Sequence, residues 1–312
     1  MNYANSHFKF VYAKLRLQGI TVDPSSLKKS PVQGAGSEVF IVKSDRGALI
    51  LHAGQIGAGE HQRKPWKKVA LVSKFLKNFP MIPSASVILS IRRGQEYFIV
   101  QHLLPGQSPG KRIEQGNVVD VWNTWSNDLE KDIERTIAHI HQIPVSGGGW
   151  LVERTGRAIG KYKTWQEFLE KEIPHWLKNV RKSEGSAFLT TKIKKHYQKN
   201  KKKFIVKESF LVHGDLINPS NMLILGNKVT GIIDWEFALA GDPAWEFCFN
   251  NRYSLDTYFR SFKNKFSAEQ KIDFRERIKL YEPLFLARVL SFMDKKEPAY
   301  AAYRSHLERL QF

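Results

Sequence analysis

The apolar positions of this chain follow one period in its first third and another in the remainder. Ser37 to Lys43 and Ala48 to His52 read as two strands joined at Asp45-Arg46-Gly47, and Ala85 to Leu89 and Tyr97 to Val100 as two more. Between these pairs a helix is predicted from about Gln62 to Asn78, stopping before Phe79-Pro80 and Pro83. Residues 1–30 mix apolar and basic types and read as an N-terminal helix with an extended lead-in. Beyond Pro105-Gly106, Val118, Trp122, Trp125, Leu129, Ile133, Ile137 and Ile140 recur at helical spacing and predict one buried stripe. Trp165 to Trp176, Tyr253 to Phe266, Ala268 to Phe292 and Tyr300 to Leu310 predict further amphipathic helices. The fold class expected is α+β.

Two apolar runs end in polar residues that carry chemistry. Leu211-Val212 leads into His213-Gly214-Asp215, a polar loop reaches Asn221, and the strand Met222 to Leu225 returns. Gly231-Ile232-Ile233 then delivers Asp234 at a second strand end, followed by Trp235-Glu236. Moving a phosphoryl group spreads negative charge over its oxygens, so a site needs a divalent metal, positioned donors and a carboxylate to orient the acceptor hydroxyl. Mg²⁺ prefers oxygen ligands and keeps several waters, so one Asn carbonyl and one Asp carboxylate beside a triphosphate suffice. The plain alternative is a hairpin in which Asp215 and Asn218 are turn residues and Asp234 caps the next helix. Three such elements in order, each at the end of an apolar run, favour the chemical reading.

His213-Gly214-Asp215, Ile232-Ile233-Asp234-Trp235-Glu236 and Gly241-Asp242-Pro243-Ala244-Trp245-Glu246 resemble the aminoglycoside phosphotransferase superfamily, the small-molecule branch of the kinase-like fold. Ile137-Ala138-His139-Ile140-His141, Pro144 to Trp150 and Thr164 to Leu169 resemble the central region of its hygromycin-type members. The likeness runs from about Gly34 to about Phe249. It implies a two-lobed fold, with a β-rich nucleotide-binding lobe over 1–103 and a helical catalytic and acceptor-binding lobe over 104–312. It also implies ATP or GTP as donor, Asp215 as catalytic carboxylate and Asn221 with Asp234 as Mg²⁺ ligands. Gly34, Gly36 and Ser37 then open the strand pair where backbone N–H groups approach phosphate. Gln101, His102 and Leu103 fall where the family's hinge binds the base.

The chain departs from the family's pattern in three places. Kinase-type spacing puts Asn five residues after the catalytic Asp; here Ser220 holds that place and Asn221 follows, so the loop is read as one residue longer. His52 stands where kinases carry a phosphate-binding Lys. Near the place of the partner Glu stand Lys67 and Lys68, with Glu60 earlier. His52 and the longer loop suggest the competing reading, a nucleotide-binding protein without turnover.

The 312 residues suffice for two cores, and a single cysteine, Cys248, excludes a disulfide framework and a Cys-based zinc site. No signal-peptide pattern or membrane-length apolar run is present, so a cytoplasmic protein is the expectation. A formal charge of +19 raises nucleic acid as a partner, a third reading. Much of the excess sits in Lys192 to Lys203, where Ile193, Tyr197 and Phe204 instead predict the solvated face of an amphipathic helix. For the acceptor, Glu167, Glu170, Glu172, Glu236, Asp242 and Glu246 are candidate carboxylates for a cationic molecule. Asp242 and Glu246 are also read as braces of the catalytic loop.

Overall fold

The computed structural model describes residues 8–30, 37–56, 65–112, 118–120, 125–185, 187–216, 219–249, 253–262 and 266–312. They form two compact units, the first taking in the described residues up to Gln107 together with 222–225 and 230–236, and the second the other described residues.

In the first unit, helix α1 (Lys9–Arg16) precedes strands β1 (Val22–Lys29), β2 (Ser37–Ser44) and β3 (Gly47–Gln55). Helix α2 (Pro65–Leu76) and strands β4 (Val87–Arg93) and β5 (Glu96–His102) follow. The strands make one antiparallel sheet in the order β1-β2-β3-β5-β4. Alternation along the strands feeds two cores. Phe40, Val42, Leu49, Leu51, Phe98 and Val100 pack with Phe8, Val11 and Leu15 at the α1 side, whereas Tyr97 and Ile99 pack with Trp66 and Val69 of α2. Burying both faces fixes the register, because a one-residue slip would exchange the two sets. The predicted helix therefore exists, running from Pro65 to Leu76 among the described residues.

The same unit holds strand β11 (Met222–Leu225) and the end of β12 (Lys228–Ile232). Gln107 and Ile224 exchange backbone hydrogen bonds at 2.9 and 2.8 Å. The Ile232 N–H donates to the Pro83 carbonyl at 2.6 Å, which fixes the strand end just before Asp234.

In the second unit, the short strands β6 (Gly110–Arg112) and β7 (Val118–Asp120) pair, and helix α3 spans Asn127–Ile140. Val118 thus belongs to a strand, not to the helical stripe expected from it, and Trp122 lies outside the described residues. The Ser126 hydroxyl accepts the Leu129 N–H at 3.2 Å and starts the helix there, so only Leu129, Ile133, Ile137 and Ile140 of the stripe form its buried face.

Strands β8 (Gly148–Arg154) and β9 (Arg157–Tyr162) form a hairpin that the apolar pattern did not predict. Its turn, Thr155-Gly156, has φ of 50° and 77°, the left-handed pair that matches strand twist in a two-residue hairpin. With β10 (Phe210–Val212) and β13 (Leu239–Gly241) these strands build an antiparallel sheet in the order β10-β13-β8-β9.

Helices α4 (Trp165–Glu184), α5 (Phe188–Asn200), α6 (Leu255–Arg260), α7 (Ala268–Leu290) and α8 (Pro298–Arg309) complete this unit. Trp165, Trp245 and Tyr281 form a fully buried aromatic centre, with the Trp165 indole N–H donating to the Tyr281 hydroxyl at 2.8 Å. On α5 and the turn after it, Ile193, Tyr197 and Phe204 are buried while Lys194, Lys195, Lys199, Lys202 and Lys203 are exposed. The basic run is therefore one side of an amphipathic helix, as its spacing predicted.

Candidate functional site

Strand β10 ends at Val212 and delivers His213-Gly214-Asp215 into a loop. Such a loop leaves backbone N–H groups without a sheet partner, and buried ones must be satisfied. Glu246 supplies the acceptor. Its carboxylate takes the His213 N–H at 2.7 Å, the Gly214 N–H at 3.0 Å and the Leu216 N–H at 3.0 Å. Gly214 has φ of 81°, and a Cβ there would stand 2.6 Å from the Phe237 carbonyl oxygen. Only glycine lets the chain turn here without strain.

Glu246 is fully buried, and burial alone would raise its carboxyl; His141, His213 and the loop N–H groups outweigh this and hold it below the ordinary range. The His141 Nε2 lies 3.7 Å from Glu246, and its Nδ1 lies 3.0 Å from the Tyr258 hydroxyl. His141 is thus a buried neighbour of the brace. Asp242 braces the head of the same segment. It caps the Pro243–Phe247 turn through the Ala244 N–H at 3.0 Å and accepts from Arg277 Nε at 2.7 Å and the Tyr281 hydroxyl at 2.9 Å.

The other side of the loop is held by Arg288, which the sequence pattern did not single out. It is 2 % exposed and donates to the Gly214 carbonyl at 3.1 Å. Its guanidinium lies 4.9 Å from the Phe237 ring centroid and 5.3 Å from that of Trp150. An arginine inside the apolar run Leu284-Phe285-Leu286-Ala287-Arg288-Val289-Leu290 was the available signal, since a lone charge there must be buried with partners.

The loop so held presents Asp215 with its side chain oriented by Asn221. The Asn221 amide nitrogen donates to Asp215 Oδ2 at 2.8 Å and to the Asp215 carbonyl at 2.9 Å. That spends the amide donors and leaves Asn221 Oδ1 as the atom a hard cation would use. Asn221 ends a single 3₁₀ turn, Pro219–Asn221, directly before β11; Ser220 lies within it, and Ile217 and Asn218 lie outside the described residues.

In the first unit Asp234 follows β12 with φ of 64°, a left-handed conformation uncommon for a residue other than glycine. The residue is exposed at the surface, but desolvation of its carboxyl by the surrounding protein raises it to about 6, and no cation pairs with it among the described residues. A carboxyl in strained backbone, with no cation partner among the described residues, suits a divalent ion. Among the described residues no three His, Cys, Asp or Glu side chains converge as a metal centre. Mg²⁺ needs no such cluster, because phosphate oxygens and water fill most of its shell.

The remaining sequence-predicted residues of the first unit lie on its sheet. Ser37 opens β2 opposite Gly54, and Gly34 and Gly36 lie outside the described residues, as does Glu60. His52 sits mid-β3 between Val39 and Ile99, where burial lowers its imidazole to about 4, so it is neutral at pH 7. Gln101 and His102 end β5. The His102 N–H donates to the Ser86 carbonyl at 3.3 Å and the Leu103 N–H to the Ala48 carbonyl at 3.0 Å. Those two donors are engaged within the unit.

A family model described as the phosphotransferase enzyme family matches residues 33–255. No curated protein matches the chain. Among solved structures, the aminoglycoside phosphotransferase APH(4)-Ia superposes with a TM-score of 0.69 at 16 % identity over 98 % of each chain. A thermostable mutant of that enzyme is a ternary complex with AMP-PNP and hygromycin B. A putative fructosamine-3-kinase from Haemophilus somnus 129PT superposes with a TM-score of 0.64 at 13 % identity over 97 % of each chain. The macrolide 2'-phosphotransferase MphH from Brachybacterium faecium gives 0.58 at 14 % over 98 % of this chain and 99 % of its own. At these identities the likeness shows the fold, which is the kinase-like one, β-rich toward the N-terminus and helical toward the C-terminus. The match over 33–255 takes in both the strand pair and the braced loop, and this chain belongs to the phosphotransferase enzyme family.

Proposed function

We propose that the protein transfers the γ-phosphoryl group of ATP or GTP to a hydroxyl of a small molecule, with Asp215 as the catalytic carboxylate. The observation that carries this reading is the loop itself. Buried Glu246 binds three of its N–H groups and Asn221 fixes the Asp215 carboxylate, an arrangement that a plain turn does not need.

In this reading Asp215 orients the acceptor hydroxyl and takes its proton. Asn221 through Oδ1 and Asp234 through its carboxylate would hold Mg²⁺, which when bound neutralises charge on the phosphate oxygens. A cation at Asp234 would also favour the charged form of its carboxyl, which desolvation now raises. The nucleotide belongs with the first unit, with the backbone from Gly34 to Ser37 beside phosphate, His52 as an uncharged donor, and Gln101, His102 and Leu103 at the base through groups other than the two engaged N–H donors. The neutral state of His52 supports the rival reading of nucleotide binding without turnover.

The test is nucleoside diphosphate release across a panel of hydroxylated compounds, with nucleotide binding followed separately by thermal shift. Asp215→Ala should keep nucleotide binding and lower turnover by about 10³-fold or more, the loss expected of a group acting in the chemical step. Asp234→Asn should instead weaken Mg²⁺-dependent nucleotide binding. Near-normal turnover of Asp215→Ala with its best acceptor refutes the assignment. Binding with no turnover for any acceptor favours the rival.

A further inference from the structure

Three polar side chains on one face of the first unit's sheet have no hydrogen-bond partner among the described residues: Ser37 on β2, His52 on β3 and Tyr97 on β5. The register sets them side by side. Ser37, Gly54 and Tyr97 form one cross-strand row, and Val39, His52 and Ile99 form another. Opposite residues of an antiparallel sheet point to one face, and residues two apart on a strand share it. Neighbours within a row are thus about 5 Å apart and the two rows about 7 Å apart.

The Tyr97 ring crosses β3. A Cβ on Gly54 would stand 2.3 Å from its Cζ and 2.4 Å from its hydroxyl oxygen, so glycine is what leaves the ring room there. Trp66 of α2 stacks on the same ring with 5.8 Å between centroids. An aromatic ring laid over a strand glycine stabilises a sheet, and a phenylalanine would do that equally well. The hydroxyl adds only a cost to the fold, since Tyr97 is 5 % exposed and a polar group removed from water without a partner is destabilising.

All three groups offer donors and none carries charge at neutral pH. Burial, with Glu236 and Asp234, pushes the Tyr97 phenol up, so it stays protonated. Desolvation keeps the His52 imidazole neutral, with one ring N–H. The two carboxylates whose charge reaches Tyr97 oppose a bare anion at this place and favour one that arrives with a cation.

We propose that the Tyr97 hydroxyl, beside Ser37 and His52, binds a phosphate oxygen of the Mg²⁺-bound nucleotide, so that uncharged donors serve where a phosphate-binding lysine would stand. The inference rests on the phosphotransferase reading for the identity of the ligand. Gly54 and Trp66 fix the ring before the nucleotide arrives, so binding orders little at Tyr97.

The experiment is calorimetry on the full chain, comparing wild type with Tyr97→Phe, which keeps a ring over Gly54 and removes only the hydroxyl. The ligands are AMP-PNP and GMP-PNP with Mg²⁺, the corresponding nucleosides read by competition, and inorganic phosphate without Mg²⁺. Tyr97→Phe should weaken the preferred nucleotide by about tenfold or more, the scale of one hydrogen bond to a charged group, and leave its nucleoside unchanged. An unchanged nucleotide Kd would mean that the hydroxyl holds only water, and equal weakening of nucleotide and nucleoside would make Tyr97 structural; either overturns the proposal. So would wild-type binding of bare phosphate as tight as that of the nucleotide, or no nucleotide binding at all. Selective loss of nucleotide affinity without turnover on any acceptor would uphold the site and count against the phosphotransferase reading. Turnover in which Tyr97→Phe keeps the wild-type KM for nucleotide would do the reverse.

Discussion

Buried charge at Glu246 illustrates how one residue serves stability and chemistry together. The carboxylate is placed where three loop N–H groups would otherwise be orphaned, and its depressed pKa reports that the charged form is the one the fold binds. Glu246→Gln offers an NH₂ to those donors and should cost about 2 to 3 kcal/mol of stability, the scale for leaving buried groups unsatisfied. The sign with pH follows from the same shift. The folded-state value lies below the unfolded one, so this stability is present above the usual value of 4.5 and is lost as pH falls through the folded-state value. Urea midpoints from pH 7 down to 3 should therefore fall less steeply for Glu246→Gln than for the wild type. Parallel acid limbs would contradict the brace.

Secondary-structure elements act here by deciding which side chains can be small or neutral. In the β8–β9 hairpin, a Cβ on Gly160 would come within 2.2 Å of the Gly148 backbone nitrogen. Backbone cannot step aside as a flexible side chain can. Gly160→Ala should destabilise the protein by about 2 to 4 kcal/mol, read as a shifted urea midpoint, and a shift under about 0.5 kcal/mol would show that the hairpin can separate there. On β3, neighbours on both sides keep His52 uncharged at neutral pH. Nucleotide affinity between pH 6 and 8 should then follow parallel curves in wild type and His52→Gln. A wild-type affinity that rises more steeply toward acid would mean that nucleotide recharges the imidazole.

Over the whole molecule the positive charge exceeds the negative by 19, and Lys194, Lys195 and Lys199 of α5 contribute to it on its solvent-facing side. Exposed charges of one sign repel weakly through water and salt. Replacing Lys194, Lys195 and Lys199 by Gln should leave stability within about 0.5 kcal/mol and turnover unchanged, while weakening retention on a polyanionic resin. A loss of turnover at constant stability would make the run functional.

The order of chemical groups along the chain is legible from the residues without any fold. Asp215, Asn221 and Asp234 stand out because each adjoins an apolar run, and short apolar runs mark most of the first unit's strands. Local signals of that kind need no partner from elsewhere. The stripe counted back to Val118 overran the start of α3, because periodicity alone has no boundary and the Ser126 cap sets that start. Asp242 and Glu246 are expected from the sequence as braces of the loop, but which loop groups Glu246 takes, and the part played by Arg288, emerge only in three dimensions. Glu246 meets the His213 N–H across 33 residues and Arg288 meets the Gly214 carbonyl across 74, and no local pattern encodes such separations. The same holds for Tyr303 and Phe249, which are far apart in sequence and read separately as ordinary helix and loop aromatics. Their meeting depends on packing, which sums many weak contacts over residues that the chain order keeps apart.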